Sequence, residues 1–234
     1  MSSAVWRVTD DPNGEAADLV RTLLERVERE RGSCVLAVPG GSTPGPVLNA
    51  LRDGDPERLR ALVVTLVDER HLPCDPDGPW QALPDDSNTR LVYAELVDGA
   101  PVAPEVVGWA RSGTLEEARA ALEASVPDPD VLLIGMGPDG HIASLFPGHP
   151  AQRSSARVIS VDDSPKPPPE RLSMGLVLLN RAAFAVVVVR GSAKAEATRR
   201  AYDRDPLLPT SHLTGPEVHF VVDREAAALL PENP

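Results

Sequence analysis

DVLLIGMGPDGHIASLFPG, residues 130–148, sets an apolar run directly before a glycine-rich turn. Val131 to Ile134 are apolar at every position, the mark of a strand buried on both faces, as in a parallel sheet covered by helices. Gly137, Pro138, Asp139 and Gly140 are turn formers. His141 follows at once, ahead of a short apolar stretch, "IASLF", compatible with a helix. Ligands of open parallel sheets collect outside the carboxyl ends of the strands. A titratable group at this point therefore sits where chemistry is expected.

The same alternation extends in both directions. Residues 15–31 carry Ala16, Leu19, Val20, Leu23, Leu24 and Val27 at helical spacing. "CVLAV" (34–38) and "LVVTLV" (62–67) read as buried strands, with a helix from Pro44 to Leu51 between them. A helix over 86–97 has Asp86 or Ser87 as its N-cap, and "VVGWA" (106–110) reads as a strand. Thr114 and Glu117 form a capping-box pattern at the start of a helix over 114–125. Strands are expected at 156–161, 184–189 and 218–222, a helix at 192–202 and a short helix in the tail. The proline-rich patches 73–84 and 163–169 read as surface loops. The fold expected is α/β: a single domain over residues 1–234, with a mainly parallel twisted sheet and helices on both faces.

Composition narrows the function. The 234 residues carry a formal charge of −12, which disfavours nucleic acid and anionic membranes as partners. Aromatics make up only 3%, too few for base-stacking platforms. An anionic small substrate would need a local cluster of cations. Cys34 and Cys74 are far apart and lack metal-type spacing, so a reducing cytoplasm is the expected compartment. The N-terminus is not a signal peptide, and the longest apolar run, 182–189, is too short to span a bilayer. Of 23 basic residues only Lys166 and Lys194 are lysines, the type kept where a compact ammonium is wanted; two surface survivors fit the composition as well.

Three loops could carry chemistry. "PGGSTP" offers Gly40 and Gly41 for close backbone approach and Ser42 and Thr43 as hydroxyl donors, ahead of a helix N-terminus; these suit a phosphate. The Gly-Lys-Ser/Thr of a nucleotide P-loop is lacking. "DERHLP" brings Asp68, Glu69 and Arg70 to a strand end. In the third loop His141 is a candidate general base, with Asp139 to orient it. Taken singly, the first two also fit ordinary connections. Arg171 and Lys194 would complete an anion pocket, or lie on the surface. His71, His149, His212 and His219 have no comparable setting.

Together "PGGSTP", "VDERHLP", "SN" (87–88), "GMGPDGHIASLFPG", "SPKPPPERLSM" and "GSAK" occur in an order that closely resembles the 6-phosphogluconolactonases of the pentose phosphate pathway. The resemblance implies the fold of the glucosamine-6-phosphate deaminase and ribose-5-phosphate isomerase group, no required cofactor and no metal. It also implies hydrolysis of 6-phospho-D-glucono-1,5-lactone, a sugar-phosphate lactone. The roles implied are base for His141, support for Asp139, and charge stabilisation for Arg70. Gly40, Gly41, Ser42, Thr43, Asp68, Arg171 and Lys194 would bind substrate and its phosphate. Ser173 stands where the family more often has Thr. The related deaminases carry Glu where this chain has Phe146, and tend to have Tyr in place of Arg70; both differences favour the lactonase. A non-catalytic sugar-phosphate sensor of the same fold is the alternative, usually preceded by a DNA-binding module, and this chain starts some 30 residues before its first expected strand. A monomer is expected, with a weak homo-oligomer as the alternative.

Overall fold

The computed structural model describes residues 4–232. Its strands are β1 (Val5–Val8), β2 (Cys34–Val38), β3 (Leu62–Leu66), β4 (Asp68–Arg70), β5 (Glu105–Val107), β6 (Val131–Gly135), β7 (Val158–Val161), β8 (Arg171–Met174), β9 (Phe184–Val189) and β10 (Glu217–Val222). The helices are α1 (Pro12–Arg31), α2 (Pro44–Arg52), α3 (Pro56–Ala61), α4 (Asn88–Val92), α5 (Leu115–Ser125), α6 (Leu176–Leu179) and α7 (Ala195–Tyr202). A seven-stranded parallel sheet runs β1-β10-β9-β6-β2-β3-β5, and a small antiparallel sheet runs β4-β8-β7.

The buried run that predicts a parallel sheet is β6, enclosed between β2 and β9. From β2 the chain builds outward through β3 to β5, then returns to β6 on the other side. The point where the strand order reverses opens a crevice at the strands' carboxyl ends. The turns after β2 and β6 flank it. Helix α1 packs against α2, β9, β10 and β6, burying Ala16, Val20, Leu23, Leu24 and Val27. It starts three residues before the expected 15, because Asp11 accepts from Gly14 N at 3.0 Å and Pro12 is pre-set for a first turn. The Thr114–Glu117 capping box forms as expected.

Other expectations change. β1 lies in a stretch read only for the lack of a signal; Trp6 stacks on Phe220 with centroids 4.0 Å apart. "IASLF" forms no helix, since Ile142 bridges Met136 and Leu145 and Ala143 has φ 49°. The tail makes turns over 224–229 instead of a helix. The expected 86–97 helix starts at Asn88 with Ser87 as cap and ends in a π-helical stretch, Tyr93–Val97. The 106–110 strand stops at Val107, and the chain then carries Trp109 into the core, where its indole donates to Thr65 Oγ1 at 2.9 Å. "DERHLP" and "RLSM" contribute strands β4 and β8.

Candidate active site

A cavity of about 240 Å³ at the crevice is lined by Gly40, Gly41, Ser42, Thr43, Asp68, Arg70, His141, Arg171 and Lys194. These are all the candidate site residues except Asp139, which stands directly behind His141. Asn88 lines it too.

The glycine turn after β2 is built for close contact. A Cβ on Gly40 would fall 1.9 Å from Asn88 Oδ1, and Gly41 has φ +73°. Arg190 braces the turn: its Nη2 donates to Ser42 O at 3.0 Å and to Ser42 Oγ at 3.1 Å, while Nη1 reaches Asn13 Oδ1 at 3.0 Å. Lys194 lines the same cavity half-buried, and among the described residues its ammonium has no hydrogen bond or ion pair. Burial pushes its pKa down, aided by the charges of Arg190 and Lys166 and opposed by Asp223. An unpaired cation beside donor-rich backbone suits an anion.

The small sheet delivers the charged side chains. In its register Asp68 faces Ser173 and Arg70 faces Arg171, although these residues are about a hundred positions apart. Asp68 is buried and accepts from Ser144 Oγ at 2.7 Å, while its carbonyl takes Asn88 Nδ2 at 2.8 Å. Glu69, on the other face, does not line the cavity. Its carboxylate caps α4, accepting from Asn88 N and Thr89 N at 2.7 Å, Ser87 Oγ at 3.0 Å and Arg70 N at 2.8 Å. Burial pushes its pKa up against the pull of these donors. The Arg70 guanidinium donates to the Asp86 carbonyl. Arg171 turns two of its nitrogens to the proline loop: Nε to Pro168 O at 3.1 Å, and Nη2 to Pro167 O at 2.9 Å and Lys166 O at 3.2 Å.

His141 closes the site. Its Nδ1 lies 2.5 Å from Asp139 Oδ1, and Lys166 Nζ lies 3.3 Å from that same oxygen. Ionised Asp139 can only accept, so at 2.5 Å its partner Nδ1 is the donor, which leaves the lone pair of the neutral ring on Nε2. Phe146 packs against the ring at 5.0 Å between centroids. A Cβ on Gly137 would fall 2.1 Å from His141 Cε1, so the turn admits the ring only with glycine there. Burial is the main force lowering the His141 pKa; Asp139 and Asp68 oppose it and Lys166 adds to it. Burial pulls Asp139 upward, but the hydrogen bond and charge of His141, with Lys166, leave it below the ordinary carboxylate value.

Ser144, a nucleophile only if a base approached it in space, is fully buried with its hydroxyl committed to Asp68. His71, His149 and His212 bond Gly113 O, Asp163 and Pro206 O, and His219 lies beside Arg7, all away from the cavity. Among the described residues no group of three or more His, Cys, Asp or Glu could hold a metal ion. Among the described residues no helix is long and apolar enough to cross a membrane. Sequence reasoning passed over Asn88, Arg190 and Lys166 as site residues. Asn88 belonged to the "SN" pair and Lys166 to the scarce lysines, whereas nothing singled out Arg190 among so many arginines.

A family model described as glucosamine-6-phosphate isomerases/6-phosphogluconolactonase matches residues 9–221. The chain belongs to this family. Among similar members is a 6-phosphogluconolactonase of Streptomyces coelicolor, 36% identical over 201 residues, covering 80% of this chain and 76% of the relative. Another is a probable chloroplastic 6-phosphogluconolactonase of Oryza sativa subsp. indica, 33% identical, covering 86% of this chain and 67% of the relative. The crystal structure of 6-phosphogluconolactonase from Thermotoga maritima superposes with a TM-score of 0.82 at 25% identity, covering 94% of this chain and all of that one. A monomeric glucosamine-6-phosphate deaminase has the same fold, with a TM-score of 0.76 at 21% identity.

Proposed function

We propose that this family member hydrolyses 6-phospho-D-glucono-1,5-lactone to 6-phosphogluconate in the pentose phosphate pathway. One observation carries the reading: an imidazole held with a free Nε2 shares its cavity with the unpaired ammonium of Lys194. The first suits activation of water and the second a phosphate. Phe146 cannot accept a proton or polarise the imidazole, so the acid–base pair that ring opening of an amino sugar requires is missing.

In the proposed reaction His141 Nε2 takes a proton from water as its oxygen bonds to C1 of the lactone. The carbonyl oxygen gains negative charge, which Arg70 and backbone N–H groups offset. The C1–ring oxygen bond then breaks, the imidazolium returns its proton to the ring oxygen, and the acid formed ionises in solution. Asp139 holds the ring in its Nδ1–H form throughout. Gly40, Gly41, Ser42, Thr43, Arg171 and Lys194 receive the phosphate, which fixes C1 against the base. Asp68 orders Asn88 and the floor of the cavity. We further place the protein in the cytoplasm as a monomer; the two unpaired cysteines fit a reducing compartment.

The test is a coupled assay of freshly made lactone, with the 6-phosphogluconate formed oxidised by its NADP-dependent dehydrogenase. The expected result is a rate far above spontaneous hydrolysis and no ammonia from glucosamine 6-phosphate. A rate no faster than the blank rejects the reading, and leaves the sensor alternative.

A further inference from the structure

Lys166 does not line the cavity, yet its ammonium, on a partly exposed side chain, lies against the catalytic pair. Nζ lies 3.3 Å from Asp139 Oδ1 and 3.1 Å from His141 Nδ1. It and the Nδ1–H are both donors, so the two converge on one carboxylate oxygen. The loop that brings it there is fastened on both sides of the residue. Lys166 N donates to Ser164 Oγ at 3.2 Å, and Lys166 O accepts from Ser164 Oγ at 2.9 Å and from Arg171 Nη2 at 3.2 Å. Arg171 therefore reaches both the cavity and the backbone that aims Lys166.

We infer that Lys166 is a positioning residue for the proposed hydrolysis, anchoring the Asp139 carboxylate on the Nδ1 side of His141 and keeping the imidazole in its neutral, proton-accepting form. The inference rests on the reading of His141 as base. Asp139 alone would work partly against that role, since a carboxylate at 2.5 Å favours imidazolium, which cannot accept a proton. The groups facing His141 are Asp139 on its own turn, Asp68 on β4, Lys166 on the proline loop and the uncharged Phe146 ring. Both acids favour protonation. Lys166 opposes them, in the same direction as burial.

Two measurements test this, one without substrate. Imidazole NMR follows the tautomer and titration of His141 in the wild type, Lys166→Met and Lys166→Arg; a pH profile of kcat/KM follows activity in the same proteins. In Lys166→Met the His141 midpoint and the acidic limb should both rise by about 0.5–1 pH. Activity on that limb should fall about 3–10-fold with KM within about twofold. Lys166→Arg, which keeps the charge, should stay close to the wild type. An unmoved imidazole midpoint in Lys166→Met overturns the inference. So does a tenfold rise in KM with the limb unmoved, which would make Lys166 a substrate-binding cation, and so does an arginine variant that behaves like the methionine one. Should Lys166→Met not fold, the wild type still decides, because an Nε2–H tautomer at neutral pH overturns the proposal outright. The NMR arm needs no lactone, so a wrong substrate and a wrong role for Lys166 give different results.

Discussion

In the seven-stranded sheet, β2, β6 and β9 are almost wholly buried, and two of them meet the cavity through the backbone of the glycine turns that follow, after β2 and after β6. In the three-stranded sheet the contribution is side chains: Asp68 and Arg70 from β4 and Arg171 from β8. The large sheet is specified by apolar burial, which many sequences satisfy. The small one is specified by register, because moving β4 by one residue would turn Glu69 into the cavity and Asp68 away from it. The small sheet thus adds Asp68, Arg70 and Arg171 to a cavity whose glycine turns, His141 and Lys194 follow strands of the large one, and the two are joined where α4 sets Asn88 against Gly40.

The sharpest way to break this division is at the turn after β6. His141→Ala should lower kcat by about 10²–10⁴ with little change in KM, measured by the lactone assay. Melting should be nearly unaffected, since the sheet does not need the imidazole. Glu69→Ala attacks the other sheet at a residue that does not itself line the cavity. It strands the buried N–H groups of Asn88 and Thr89, at a cost of about 3 kcal/mol. The melting temperature should fall by about 6–12 °C, and an unchanged melt would show that β4 and α4 do not depend on this cap. Lys194→Ala should raise KM about 10–100-fold while kcat holds, the loss expected of a charge-assisted contact; an unchanged KM would remove Lys194 from the phosphate site.

The smallest effect is on pH. His141 titrates below its ordinary value when folded, so it stays neutral where the unfolded chain's imidazole begins to bind protons. Stability from this group is present above about pH 6.5 and is lost as acid takes the pH down towards the folded value. The acidic limb of kcat/KM should likewise lie below about 6.5. A limb above that would mean that Asp139 and Asp68 outweigh burial and Lys166.

Much of the large sheet was legible because burial on both faces leaves unbroken apolar runs, as in "CVLAV", "VLLI" and "FAVVVV". β1 escaped because "VWRV" is a half-exposed edge strand with no such run. β4 and β8 escaped because "DER" and "RLSM" are short and carry charged or polar residues, and it is pairing, β4 with β8 and β8 with β7, that makes them strands. At the site, loop chemistry pointed to the two glycine turns and to His141. It could not separate Asp68 from Glu69, which differ only in the side of a strand they occupy. Nor could it show Lys166 beside Asp139, since that contact closes over 27 residues and depends on Arg171 shaping a proline loop.

If Lys194, half-buried and without an ion pair among the described residues, takes the phosphate as proposed, ligand occupancy is coupled to thermal resistance. Any small dianion that settles beside it releases the tension of an unmatched charge, so the loaded protein outlasts the bare one on heating.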